Sequence, residues 1–114
     1  MATILVYGAD LMLHSRIEVQ LTARGHTVRR IRAGGEAPPA DLAICDVEQI
    51  DPDEAVRRLR PARLLGFGSH LSPGALVRAR EAGFDRVVAR SAIAERLDVL
   101  VDGLLAPETT RNLP

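Results

Sequence analysis

The sequence predicts a doubly wound α/β fold: five parallel strands in the order 2-1-3-4-5, helices on both faces, and a second crossover helix that is missing or reduced. Three observations carry this. Short apolar runs alternate with segments of helical periodicity, which implies right-handed crossovers within a parallel sheet. The length of 114 residues suits one hydrophobic core and leaves no room for a second. One crossover, Ala33-Gly34-Gly35-Glu36-Ala37-Pro38-Pro39-Ala40, is too short and too rich in Gly and Pro to form a helix.

Thr3 to Tyr7 is a β-branched, apolar run stopped by Gly8, as expected of a buried parallel strand. From Leu11 to Arg24, Leu13, Ile17 and Leu21 recur as a helical stripe with Gly25 placed as its cap, and His14 falls on the side expected to be exposed. Thr27 to Arg32 is a second strand, whose Arg29, Arg30 and Arg32 suit a sheet edge that must avoid pairing with other chains. Asp41 to Val47 is the third. Pro52-Asp53-Glu54 opens a helix with carboxylates in its first turn and Arg57, Arg58 and Arg60 toward its end, where Pro61 stops it. Arg63 to Phe67 is the fourth strand, Ser72-Pro73 caps a helix that ends at Gly83, and Arg86 to Ala89 is the fifth strand. Ile93, Leu97, Leu100, Val101 and Leu104 mark a last amphipathic helix. Residues 1–105 are thus expected to form the domain, and 106–114 a flexible tail or linker stub.

Composition excludes several classes of function. Fifteen acidic residues balance fifteen basic ones, all of them arginine, so the overall charge gives no case for a nucleic-acid or membrane partner. No apolar run approaches a membrane span and no secretory signal opens the chain, so a cytoplasmic location is expected. The single Cys45 lies mid-strand and reads as a small buried hydrophobe. His14, His26 and His70 lack metal-ligand spacing and read as solvated or locally bonded. The Gly8-Ala9-Asp10 turn is not a nucleotide-binding motif, since the glycines and the lysine such motifs need are absent. In a sheet of this order, ligands bind beyond the carboxyl ends of the strands. Gly8, Ala9, Asp10, Asp46, Gly68, Ser69 and Arg90 converge there.

From about residue 3 to 105 the chain resembles the receiver domain of two-component response regulators, a flavodoxin-like fold. Ile4-Leu5-Val6-Tyr7 looks like the first strand of a receiver, Asp41 to Asp46 like the strand bearing its phosphoacceptor, and Arg80-Glu81-Ala82-Gly83-Phe84-Asp85 like the end of its fourth helix. The resemblance makes Asp46 the phosphoacceptor equivalent. It also places Gly8 and Ala9 where receivers carry an acidic pair that helps hold Mg²⁺, Gly68 where they carry a hydroxyl, Val87 where they carry a switch aromatic, and Arg90 where they carry lysine. Asp10 and Ser69 each stand one residue late.

Phosphoryl transfer to a carboxylate needs Mg²⁺ and cations to neutralise the transferred group, and most of those parts are replaced. An ion pair between Asp46 and Arg90 is the expected arrangement. The reading is a degenerate, pseudo-receiver domain: a phosphorylation-independent protein–protein interaction module, not an enzyme, with no cofactor and no small-molecule substrate. The alternatives are a phosphorylatable receiver using Mg²⁺ with Asp46 as acceptor, and a small nucleotide-binding or enzymatic α/β domain. Two features suggest a protein partner or a homodimer. The missing crossover helix is expected to leave strands 1 and 3 thinly covered, and the last helix carries more apolar positions than a narrow face needs, with Asp85, Arg86, Arg96 and Asp98 as charges of both signs nearby.

Overall fold

Strand β3 (Leu42–Asp46) is buried at every position, as befits the middle of a sheet covered on both faces. In the computed structural model, which describes residues 1–106, it pairs in parallel with β1 (Thr3–Tyr7) on one side and β4 (Arg63–Gly68) on the other. The edges are β2 (Thr27–Ile31), beside β1, and β5 (Arg86–Ala89), beside β4. The order β2-β1-β3-β4-β5 is the predicted one, with Arg29 and Arg30 exposed on the β2 edge.

Helix α1 (Leu11–Ala23) and helix α4 (Arg90–Leu105) cover one face. Alternate sheet residues point at them: Ile4 and Val6, Leu42 and Ile44, Leu65 and Phe67. Helix α2 (Pro52–Leu59) and helix α3 (Pro73–Ala82) cover the other, over Leu5, Tyr7, Ala43, Cys45 and Leu64. There Gly66 allows close approach: a Cβ on it would stand 2.8 Å from Val47 Cγ1 and 2.9 Å from Phe84 Cδ2. Helix α3 ends at Gly83, whose left-handed φ of 110° suits glycine.

No helix joins β2 to β3, as expected. The uncovered face that was expected to follow does not exist. Leu5 and Tyr7 are 1% and 3% exposed, because Ala37 and Ala40 of the connection and Val56 of α2 pack onto that cluster. The Tyr7 hydroxyl donates to Glu54 Oε1 at 2.7 Å, and the Arg58 guanidinium lies 5.4 Å from the Tyr7 ring centre.

Three other expectations need correction. Ile93, Leu97, Leu100, Val101 and Leu104 of α4 are all buried and describe one core-facing stripe of ordinary width, while Val99, off that stripe, is 67% exposed. His14 is buried, not exposed, because the stripe of α1 that meets the sheet is His14, Ile17 and Leu21, with Leu13 half-buried beside it; its Nδ1 has no hydrogen-bond partner. Ser72 stands at the N-cap of α3 but its side chain makes no capping bond. Two of the charges expected around a homodimer surface are engaged within the chain: Asp98 with Arg24 at 3.4 Å, and Asp85 with Arg60 at 2.9 Å. Apart from Ala106, the expected tail lies outside the described residues.

Candidate functional site

Parallel strands deliver their last residues to the same end of the sheet, and here that end gathers a charged cluster. Asp46 closes β3, Asp10 follows β1 through Gly8 and Ala9, and Arg90 follows β5 as the first residue of α4. The Asp46 carboxylate is 2% exposed. Its Oδ2 accepts from Arg90 Nη2 at 2.8 Å and its Oδ1 from the Glu48 backbone N–H at 3.0 Å. The expected ion pair is therefore present, with Asp46 buried and Arg90 half-exposed. Burial raises the Asp46 carboxyl above its ordinary range, against the opposing pull of the Glu48 N–H and of Arg90.

Arg90 serves more than Asp46. Its Nη1 lies 3.7 Å from Asp10 Oδ2, and its guanidinium sits 5.3 Å from the centre of the Phe67 ring. Asp10 in turn caps α1, accepting the Leu13 N–H at 2.8 Å. One arginine thus bridges two carboxylates from different strand ends, with an aromatic ring beneath it.

Glu48 belongs to this network and was not singled out from the sequence. Its Oε2 accepts the Ser69 backbone N–H at 2.8 Å, and the Ser72 side chain adds to the pull on its carboxyl. Ser69 and Ser72 hold the Glu48 carboxyl below its ordinary range, with Arg90 adding a smaller attraction. A sequence signal existed: a residue two after a strand-end Asp donates its N–H to that Asp in an Asx turn, so its side chain stands at the same rim.

The remaining positions expected at the site lie around this cluster or beneath it. Gly8 has φ 87°, and a Cβ there would meet Ile50 Cγ2 at 2.9 Å. Ala9 is buried. At Gly68 a Cβ would lie 3.2 Å from Leu76 Cδ2 and 3.3 Å from Glu48 Cγ, so the place of a hydroxyl side chain is already filled by neighbours. Ser69 uses its Oγ to accept from the Leu71 N–H at 3.0 Å. Val87 is buried in the cluster under α3 and does not reach the charged rim. His26 Nδ1 accepts from the Ala2 N–H at 3.1 Å, and His70 is exposed.

The donor set does not fit Mg²⁺. Among the described residues no three His, Cys, Asp or Glu are arranged to hold a metal, and the two carboxylates at the strand ends already share a guanidinium. A hard cation needs several free oxygens.

No protein-family model matches the chain, and no curated protein does. Solved structures do match. The non-phosphorylated receiver domain of HemR from Leptospira biflexa superposes with a TM-score of 0.77 at 14% identity, covering 94% of this chain and 96% of that one. A response regulator from Burkholderia pseudomallei, solved with a phosphorylated aspartic acid, calcium and citrate, gives 0.72 at 17% identity, covering 96% of this chain and 69% of that one. NtrX from Brucella abortus gives 0.73 at 18% identity, covering 91% of this chain, which spans only 26% of NtrX. Among the described residues of this chain no helix is long and apolar enough to cross a membrane. On the sheet order and these superpositions, the chain has the fold of a response regulator receiver domain.

Proposed function

We propose that this chain is a pseudo-receiver: a signalling domain that acts by binding another protein, without phosphorylation of Asp46 and without catalysis of its own. The observation that carries the reading is the state of Asp46. Its carboxylate is 2% exposed and both oxygens are already bonded, one of them to a fixed cation. A phosphodonor would have to displace Arg90, which would leave charge unpaired in a poorly solvated site. Gly8, Ala9 and Gly68 supply no metal ligand or hydroxyl to help, and Arg90 replaces a compact ammonium with a planar fork. The domain serves as a fixed scaffold in this reading. A partner protein, or a second copy, meets it elsewhere than the sheet face and the apolar stripe of α4, both of which the chain covers itself.

The test is incubation with Mg²⁺ and a small-molecule phosphodonor, or beryllium fluoride, followed by intact-mass and amide-NMR measurements. Mass and amide positions are expected to stay unchanged. A stoichiometric adduct that disappears in Asp46→Asn would overturn the proposal in favour of a phosphorylatable receiver.

A further inference from the structure

Beside the charged cluster lies a groove that the signalling reading does not use. It runs between the first turns of α1 and α4, is closed at one end by Ser69 and His70, and encloses about 810 Å³. That falls within the roughly 300–1,000 Å³ usual for small-ligand sites. Its walls are apolar: Leu11, Met12 and Leu13 from α1, and Ala94 from α4. Leu11 and Met12 are 65% and 79% exposed, a large apolar area to leave in water at a concave site.

The charged groups on its rim are two arginines and one carboxylate. Arg16 stands one turn beyond Met12 and has no ion-pair partner among the described residues. Arg90 reaches the groove from the other side, half-exposed, with its guanidinium already shared between Asp46 and Asp10. Against these stands a single carboxylate on the lining, Asp10, already engaged by the Leu13 N–H and by Arg90. An apolar trough with an unpaired arginine at its lip suits a molecule with an apolar body and one negative charge. A compact phosphate would leave the apolar wall wet, and a cation would face the unpaired Arg16.

We propose that this groove binds a small amphiphilic monocarboxylate, with its hydrocarbon body against Leu11, Met12 and Ala94 and its carboxylate on Arg16. In this proposal the molecule is an effector and not a substrate.

The test titrates the protein with sodium octanoate, octanol or octylamine and follows backbone amide shifts by NMR. Octanoate is expected to give saturable shifts confined to the first turns of α1 and α4 and to residues 69–70. Octanol should bind more weakly and octylamine not at all. Arg16→Ala should weaken octanoate binding about fivefold, the worth of one charge-assisted contact at an exposed rim. Met12→Asp should weaken it at least about tenfold by making part of the apolar wall polar. Both positions are exposed, so the folded amide spectrum of each variant is retained. Equal affinity for octanol and octanoate, no effect of Arg16→Ala, or no saturable shift with octanoate would each overturn the proposal.

Discussion

The two faces of the sheet solve the same packing problem with different materials. The face under α1 and α4 is built from large aliphatic side chains and Phe67, and nearly all its contacts are apolar. The face under α2 and α3 lacks one helix and is built small: Ala43, Cys45, Gly66, Ala55, Ala75 and Ala79 let two short helices sit close. Where no helix reaches, it relies on a Tyr–Glu–Arg arrangement at its margin. A missing element can therefore be replaced by shrinking side chains and bonding one polar tip. The first face is accordingly sensitive to cavities, the second to added volume and to the charge state of its polar members.

Phe67→Ala should break the first face and cost about 3–5 kcal/mol, the range for removing a fully buried aromatic side chain. It also removes the ring beneath Arg90, so amide shifts at Asp46 and Glu48 should accompany the lower denaturation midpoint. A loss near zero in chemical denaturation would mean that α4 is not a tightly packed cover. Gly66→Ala tests the second face by the opposite operation. The new methyl would meet Val47 and Phe84 well inside contact distance, and about 1–3 kcal/mol of overpacking is expected. Stabilisation by this change would show that α3 and its flanking residues can give way freely.

Arg90→Ala asks whether the rim pair is structural. Leaving the buried Asp46 carboxylate without its partner should cost about 1–3 kcal/mol, and Asp46→Asn combined with Arg90→Ala should cost less than the two changes summed. Strict additivity would mean that the 2.8 Å contact contributes nothing.

The smallest effect is expected from pH, and it belongs to the second face. The Tyr7 phenol is raised above its ordinary 10.0, first by burial and then by its bond to Glu54, and burial raises the Cys45 thiol above its ordinary 9.0. For groups raised in this way the folded chain holds protons that the unfolded chain releases. Their stabilising contribution is complete below those ordinary values and is lost as pH rises past them. Denaturation midpoints should fall above about pH 9, and Tyr7→Phe should make that fall shallower. An identical alkaline slope in the variant would remove Tyr7 from the account.

The strand order and most element limits were legible because apolar runs, prolines and glycines mark them directly. The Asp46–Arg90 pair was legible too, since both residues sit at the carboxyl ends of strands that a parallel sheet brings to one rim. Tertiary choices were not. Leu13 and His14 are neighbours on α1, and which of them faces the sheet depends on how the helix is rotated, which periodicity alone fixes to no better than one residue. The cover over Leu5 and Tyr7 comes largely from a loop without periodicity, and the five apolar residues read as surplus on α4 form its ordinary core-facing stripe. Glu48 lies in no periodic element, and its position two residues after Asp46 is its one signal; its role follows from the turn with Asp46 and from its bond to Ser69, just beyond β4.

Cys45 gives the second face a reporter of its own. It is the chain's single thiol and is fully buried in β3. A thiol reagent can reach it only when the cover formed by α2, α3 and the loop opens, and the thiolate that reacts is scarce until it does. The rate of labelling under native conditions is then a clock for local opening, and comparison with global unfolding tells whether the thinner cover lifts before the rest of the molecule comes apart.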